Sequence, residues 1–276
     1  MSSVRLLSGA DAPAFRRLLA TDPIAYAMVS ERLRVVGVGS ALGAEVWGWF
    51  PDTELAAGLY LGANVVPVAA DQEAVAAFAS RARMTPRRCS SIVGPAGQAL
   101  PLYEAVRSTW GEARDVRAHQ PMLAIAGPPS VAAHPGVRPA SMSDIEALFP
   151  ASVAMFTEEL GVSPLVPDGG AAYRRRVASL IQQGRAFVLI EDGDVVFKAE
   201  VGVIADDVAQ IQGVWVEPDH RGRHLSESGM AAVVEQTRER FARTVSLYVN
   251  DYNHAALASY HRVGFVEVGE FATVLF

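Results

Sequence analysis

Cysteine is almost missing from this chain, with Cys89 alone among 276 residues, and the scarcity removes whole classes of chemistry. No intramolecular disulfide can form, and neither a CxxC redox pair nor a cysteine-built zinc site is available. Cys89, within "RRCSSIVG", has no evident histidine partner and reads as a strand thiol rather than a nucleophile. His119, His134, His220, His254 and His261 do not combine with acids at metal-binding spacing, so no metal is expected. Long apolar runs are also missing. No stretch of about 18 residues is free of charged or turn residues, and the N-terminal "MSSVRLLSGADAPAF" has no long apolar segment behind a basic start. Excess positive charge is lacking too: 24 Lys and Arg stand against 30 Asp and Glu, a net charge of −6 that gives no global attraction to nucleic acid or anionic membrane. The expectation is a soluble cytoplasmic protein with neither nucleic acid nor membrane as partner.

What is there is globular: 50% apolar and 20% charged residues, in a length that suits two ordinary domains. The sharpest punctuation is "IAGPPSVAAHPGVRP", residues 125–139, where four prolines and two glycines break any periodicity. It divides the chain into expected domains 1–125 and 137–276, joined by a linker at 126–136. Both sides open alike. "VRLLSGAD" at residues 4–11 and "VRPASMSD" at 137–144 share Val, Arg, Ser and Asp at a constant offset of 133.

In the second half, Ser143 and Glu146 form an expected capping box for a helix that Pro150 interrupts. A helix near 170–183 follows, then a hairpin turning at Asp192 and Gly193, and the strand "VAQIQGVWV". Met230, Val233, Val234, Thr237 and Phe241 share one helical face. The strand "TVSLYV", a helix from about Asn253 to Val263 closed by Gly264, and the separate strands "FVEVG" and "FATVLF" complete a mixed α/β order. The first half reads in the same order from "AEVWGWFPD" through "ELAAGLYLGANVVPV", "DQEAVAAFASRAR", "CSSIVG" and "QALPLYEAVRSTWG" to "DVRAHQPMLAI". A duplication explains the correspondence.

Chemistry concentrates in "VWVEPDHRGRHLSESGM", residues 214–230. A strand entering a glycine turn and then a helix leaves backbone N–H groups unpaired at the positive end of the helix dipole, where phosphate binds without a special side chain. Arg221 and Arg223 add charge, and Ser226 or Ser228 would cap the helix. Downstream comes "NHAALASYHRVGF". Together the two stretches resemble the GNAT superfamily of acyl-coenzyme A dependent N-acetyltransferases. Val214, Val216, Pro218 and Arg221 match its first pattern, and Asn253, Ala256, Tyr260, Gly264 and Phe265 match its second. The phosphate loop departs from the family at His224, which takes a glycine position, and at Ser226, which takes a Gly or Ala position. Histidine there loses the freedom to adopt positive φ. It either weakens the loop or contributes an imidazole to a phosphate.

The resemblance implies a fold of two GNAT-like domains, each a mixed sheet flanked by helices, with acetyl-CoA as co-substrate of the second. Backbone groups of Val214, Trp215 and Val216 would bind the pantetheine, and Arg221, Gly222, Arg223, His224, Leu225 and Ser226 the pyrophosphate. Tyr260 would protonate the departing thiolate. Asn253 would touch the cofactor, or simply cap its helix. No general base is evident. Glu200 and Glu217 are the nearest carboxylates in sequence, while Glu158 and Glu159 lie in the segment that covers the acceptor in this superfamily. The segment between "GANVVPV" and "DQEAVAAF" in the first half has neither arginine nor glycine, so no phosphate cradle is expected there and that domain reads as degenerate. The expected activity is direct acetyl transfer to a primary amine of a small molecule, peptide or protein. The alternatives are a non-catalytic acyl-CoA sensor or scaffold and, third, an aminoacyl-tRNA dependent transferase.

Overall fold

Local sequence signals translate into elements in chain order over residues 3–38, 43–166 and 168–276, which the computed structural model describes. They are β1 Ser3–Leu6, α1 Ala12–Leu19, α2 Ala27–Val36, β2 Glu45–Phe50, β3 Ala57–Leu61, β4 Asn64–Val68, α3 Gln72–Ala82, β5 Ser91–Pro95, α4 Ala96–Trp110 and β6 Asp115–Ile125. There follow β7 Arg138–Pro139, α5 Ile145–Leu160, α6 Ala171–Gln182, β8 Ala186–Glu191, β9 Asp194–Ala205, β10 Val208–Val216, α7 Leu225–Arg240, β11 Thr244–Tyr248, α8 His254–Val263 and β12 Val266–Leu275. The fold is mixed α/β, as the order of sequence patterns implies.

The chain forms two compact units that are not consecutive blocks of sequence. The first comprises Met1–Met122 together with Tyr248–Tyr252 and Glu267–Phe276, and the second Leu123–Leu247 with Asn253–Val266. Two pieces of the C-terminal half are thus built into the first unit, a division that punctuation in the sequence does not reveal. Residues 126–136, read as a linker, are held within the second unit. There Ser130 N donates to Val263 O at 2.8 Å, and His134 N to Ser228 O at 2.9 Å.

In the first unit the strand order is β1, β2, β3, β4, β5, β12, β6. Helices cover both faces. Phe78 of α3 and Leu102 and Val106 of α4 are buried on one side with Leu59 and Ile92. Phe15, Leu19 and Val29 from α1 and α2 are buried on the other with Val46 and Val68. Full burial of each such side chain stabilises by about 1.5–3 kcal/mol. In the second unit β7 to β11 pair in chain order, antiparallel except for the parallel β10–β11 pair. Its α5 and α6 pack Ile145, Leu148, Val177 and Leu180 onto Val188 and Val195.

The repeat in sequence is a repeat in geometry. Arg5 grips Asp11 with both terminal nitrogens at 2.9 and 2.7 Å, and Asp11 also accepts from Ser8 N and Oγ. Arg138 grips Asp144 in the same way at 2.7 and 2.9 Å, and Asp144 accepts from Ser141 N and Oγ. In each unit the motif closes a 3₁₀ turn that leads into the first helix. The capping box of the second unit is therefore Ser141 with Asp144, not Ser143 with Glu146. Ser143 Oγ instead meets Ser141 Oγ, and Glu146 pairs with Arg174. Pro150 does not interrupt α5. Its missing N–H costs one backbone bond, but Leu148, Ala151, Ser152 and Met155 are buried along one face and hold the helix together.

The Arg138 guanidinium, with the Ser141 donors, holds Asp144 far below the ordinary carboxylate range. That stability is fully present above about pH 4, where an unfolded Asp ionises, and is lost as pH falls through the depressed native value. Because Arg138 is half exposed, the paired charge is discounted for screening. Asp144→Ala is expected to cost about 1–2 kcal/mol at pH 7, mostly as a lost cap. Denaturant titrations at pH 7 and pH 3 should show the gap between variant and native narrowing at the lower pH.

Candidate acyl-carrier site

β10 pairs in parallel with β11 only at Val208, Ala209 and Gln210, opposite Thr244, Val245 and Ser246. Beyond Gln210 it continues alone to Val216, so the two strands part and leave backbone groups of β10 without a β11 partner. The same stretch is irregular on its other side. The β9–β10 register shifts between Gln210 and Ile211 and again between Gln212 and Trp215. Gly213, within the second shift, sits at φ +58°, a left-handed backbone that glycine adopts without strain.

β10 ends at Val216, and the next residue, Glu217, caps the 3₁₀ turn Pro218–His220. Its carboxylate accepts from Asp219 N at 2.8 Å and meets His220 Nδ1 at 2.9 Å. The hydrogen bond to His220 holds Glu217 below the ordinary carboxylate range. Arg221 folds back on the strand end, donating Nε to Val216 O at 3.0 Å and Nη2 to Glu158 of α5 at 2.8 Å. Glu158 also accepts from Trp215 Nε1 at 3.3 Å, and the arginine keeps it well below its usual range. Glu158 thereby ties the covering helix to the loop. Arg223 is exposed on the same loop.

α7 begins at Leu225, so its N-cap is His224 rather than Ser226 or Ser228. His224 sits at φ +60°, ψ +14°, the left-handed region that the family's glycine would fill. Such a backbone costs a non-glycine residue about 1–2 kcal/mol. The imidazole is exposed and turns toward Glu227, Nδ1 to Oε1 at 2.9 Å, and Arg262 of α8 grips the same oxygen at 2.9 Å. Ser226 Oγ meets Ser259 Oγ at 2.9 Å, joining the start of α7 to the middle of α8. The amides of Leu225 and Ser226 open α7 at this turn, while Glu227 N already donates to His224 O at 3.1 Å.

α8 carries the remaining sequence candidates. Asn253 caps it, its Oδ1 accepting from Ala256 N at 3.2 Å. Tyr260 is buried at 7% exposure, with its ring tilted against Phe265. Burial, and behind it the charge of Glu159, pushes the phenol far above its ordinary value. Glu159 therefore lies within electrostatic reach of Tyr260, and it acts on Tyr173 of α6 as well.

Glu200 of β9 is placed beneath the irregular stretch of β10, 4% exposed, with Oε1 bound by the fully buried Lys198 Nζ at 2.8 Å. Lys198 also donates to Gly213 O at 3.0 Å. Lys198, Gln212, Ser152 and Tyr173, which gather around Glu200 and α5, were not singled out from sequence. The available signal was a Lys and a Glu two residues apart in the otherwise apolar "VVFKAEVGV", hence on one face of a strand.

The counterpart in the first unit is built alike and filled differently. β4 pairs with β5 only at Asn64 and Val65 before parting from it. At the turn into α3, Ala69 N donates to Tyr26 Oη at 2.9 Å and Ala70 N to Gln98 Oε1 at 3.0 Å. Gln98 Nε2 donates to the same Tyr26 oxygen, and Asp71 caps α3 with a carboxylate. Cys89 is buried in this unit, its thiol pushed up by desolvation. Among the described residues no three or more His, Cys, Asp or Glu side chains gather as a metal site, and no helix is long and apolar enough to cross a membrane.

Comparison with known proteins marks two matching regions, whose bounds differ from those of the two compact units. Residues 153–265 match the acetyltransferase (GNAT) family model, and residues 44–148 match a domain of unknown function, DUF4081. A putative [ribosomal protein bS18]-alanine N-acetyltransferase of Bacillus subtilis (strain 168) is 34% identical over 77 residues, 28% of this chain and 50% of that one. The match thus spans half the length of that relative. A GCN5-related N-acetyltransferase from Sphaerobacter thermophilus superposes with TM-score 0.63 at 21% identity, over 99% of this chain and 94% of that one. A tandem GNAT protein from the clavulanic acid biosynthesis pathway gives 0.55 at 14%, over 100% and 98%. At these identities the two structures speak for the fold alone. Motif, fold and family model converge on one stretch, and residues 153–265 are the region that matches the acetyltransferase (GNAT) family.

Proposed function

We propose that the second unit is an N-acetyltransferase that moves the acetyl group of acetyl-CoA to a primary amine by direct transfer, and that the first unit binds no acyl carrier. The observation that carries this is the parting of β10 from β11, which opens freed backbone beside Val214, Trp215 and Val216 and leads into the arginine-bearing start of α7. Peptide-like amides of a pantetheine arm pair with such backbone, and the diphosphate sits over Gly222 to Ser226. The neutral amine attacks the thioester carbonyl, and as the tetrahedral intermediate collapses the carbon–sulfur bond breaks, Tyr260 donates its proton to the departing thiolate, and the proton lost from the amine nitrogen passes to water, from which the phenolate is reprotonated. In the first unit the equivalent amides already donate to Tyr26 and Gln98, and Asp71 puts negative charge where an anion would sit. The relative named as a putative [ribosomal protein bS18]-alanine N-acetyltransferase makes peptides with an N-terminal alanine natural members of an acceptor panel. A cytoplasmic location fits a chain with this cysteine usage.

Calorimetry with acetyl-CoA, paired with thiol release over small amines and peptides, tests the reading. Micromolar binding with turnover on at least one acceptor is the expected result. Binding without turnover on any amine favours a sensor, an alternative motivated by His224 in the loop. Absence of binding overturns both.

His224→Gly is expected to raise stability by about 0.5–1 kcal/mol, since glycine relieves the left-handed strain but adds unfolded-state entropy. Because the imidazole turns to Glu227, acetyl-CoA affinity should hold or tighten. A loss of affinity measured by calorimetry at pH 7 would make the histidine a phosphate ligand.

A further inference from the structure

Two charged groups of the second unit have no place in the transfer step described above, yet they are among the most deeply buried side chains in it. Lys198 is 0% exposed and Glu200 4%, neighbours on one face of β9. Burying a charge is unfavourable unless it is paired and its hydrogen bonds are met. Here Lys198 Nζ donates to Glu200 Oε1 at 2.8 Å and to Gly213 O at 3.0 Å, while Gln212 Nε2 lies 3.5 Å from Glu200 Oε2. Both hydrogen-bonded partners outside the pair come from the part of β10 where the β9–β10 register shifts.

Gly213 is in the left-handed region, so its carbonyl is turned out of the regular ladder, and the ammonium receives it. The fit is close on every side. A Cβ built on Gly213 would stand 3.0 Å from Met155 Cε, 3.3 Å from Lys198 Nζ and 3.4 Å from Glu200 Cδ. Gln212 is accommodated in turn by Gly202, where any Cβ would stand 2.2 Å from the Gln212 amide oxygen. These groups surround the irregularity and leave it one arrangement.

We infer that the Lys198–Glu200 pair is a positioning device that fixes the bulge of β10 at Gly213, and through it the departure of β10 from β11 that exposes the Val214–Val216 backbone. The ammonium supplies a directional donor for a carbonyl that the ladder cannot satisfy, and the carboxylate keeps that ammonium charged and aimed. Neither residue touches the acyl carrier. An apolar pair of the same volume would fill the space but leave the Gly213 carbonyl free to turn back toward β9. The effect on the site rests on the acyl-carrier reading, whereas the effect on the bulge does not.

The experiment uses the full chain with Lys198→Met and Glu200→Leu combined, and Glu200→Gln as a second variant that keeps shape and hydrogen bonding while removing the countercharge. Amide hydrogen exchange is read at residues 211–216 in native and variant proteins without any ligand, and KM for acetyl-CoA and kcat are read with it. The expected result is faster exchange confined to 211–216, a KM raised about tenfold, equivalent to about 1.4 kcal/mol of lost binding, and a kcat within about twofold. The double variant should show the larger change and Glu200→Gln the smaller. Should the double variant not fold, the exchange in Glu200→Gln decides alone. Unchanged exchange at 211–216 in a folded variant overturns the inference, whether or not acetyl-CoA binds. Faster exchange in a chain whose native form does not bind acetyl-CoA upholds the positioning role and overturns the carrier reading instead.

Discussion

Tyr260→Phe is expected to lower turnover by about a hundredfold or more while leaving acetyl-CoA affinity within about twofold, the range a positioned proton donor supplies. The phenyl ring occupies the same buried volume against Phe265, so a folding defect would not be the cause. Burial has already pushed the phenol far above its ordinary value of about 10, which keeps the proton on Tyr260 throughout the neutral range. On the proposed reading, the native protein should accordingly show no alkaline loss of kcat from this group below about pH 10. Steady-state kinetics of the two proteins against pH, with affinity by calorimetry, checks both parts. Equal turnover in the Phe variant would remove Tyr260 from the mechanism.

Lys198→Met alone is expected to cost about 3–5 kcal/mol of folding stability, the usual outcome when one partner of a buried ion pair is removed and the other stays behind. Glu200 would be left 4% exposed without a cation, and Gly213 O without a donor. The companion expectation is an asymmetry: removing both charges together costs far less than removing Lys198, because no uncompensated charge remains. Urea titrations of the single and double variants measure the difference directly. A single variant as stable as the double would mean that water or rearrangement reaches Glu200, which the packing of Met155 over Gly213 argues against.

Much of this architecture was legible in the sequence wherever one signal dominates. "VAQIQGVWV" and "DVRAHQPMLAI" are strands with the bounds read for them, and Met230, Val233, Val234 and Thr237 are the buried face of α7. Gly264 closes α8 in the left-handed region. Legibility fails where tertiary packing outvotes local punctuation. Pro150 reads as a break, yet the buried stripe of α5 carries the helix through it. "FVEVG" and "FATVLF" read as separate strands, but β12 runs unbroken from Val266 to Leu275 through Gly269. A Cβ there would stand 3.0 Å from Met122 Cε, so the glycine marks close packing rather than a turn. α1 and α2 lie outside the elements read from the sequence, although Phe15, Leu19 and Val29 anchor one face of the first unit.

The site divides similarly. The loop, the helix start and Tyr260 carry sequence motifs and could be found from them. Three features could not. The left-handed backbone at His224 is a conformation, not a residue preference. The commitment of Glu158 to Arg221 and of Glu217 to His220 depends on side-chain geometry. The Lys198–Glu200 pair hides in a strand whose other residues are apolar.

The first unit has one more consequence, which concerns the order in which the protein is made. Its sheet places β12 between β5 and β6, with Phe271 to Leu275 paired against Ser91 to Pro95. An interior strand of the first unit therefore leaves the ribosome only after β1 to β11 have been made. Until then β5 presents an open edge, and open edges invite pairing with other chains. The earlier strands of the first unit are a waiting scaffold rather than a finished sheet, and their folding is coupled to synthesis of β12, which lies beyond the second unit's strands in the chain. Gene fragments cut at the proline-rich segment should for this reason aggregate when expressed alone and recover solubility when both pieces are co-expressed.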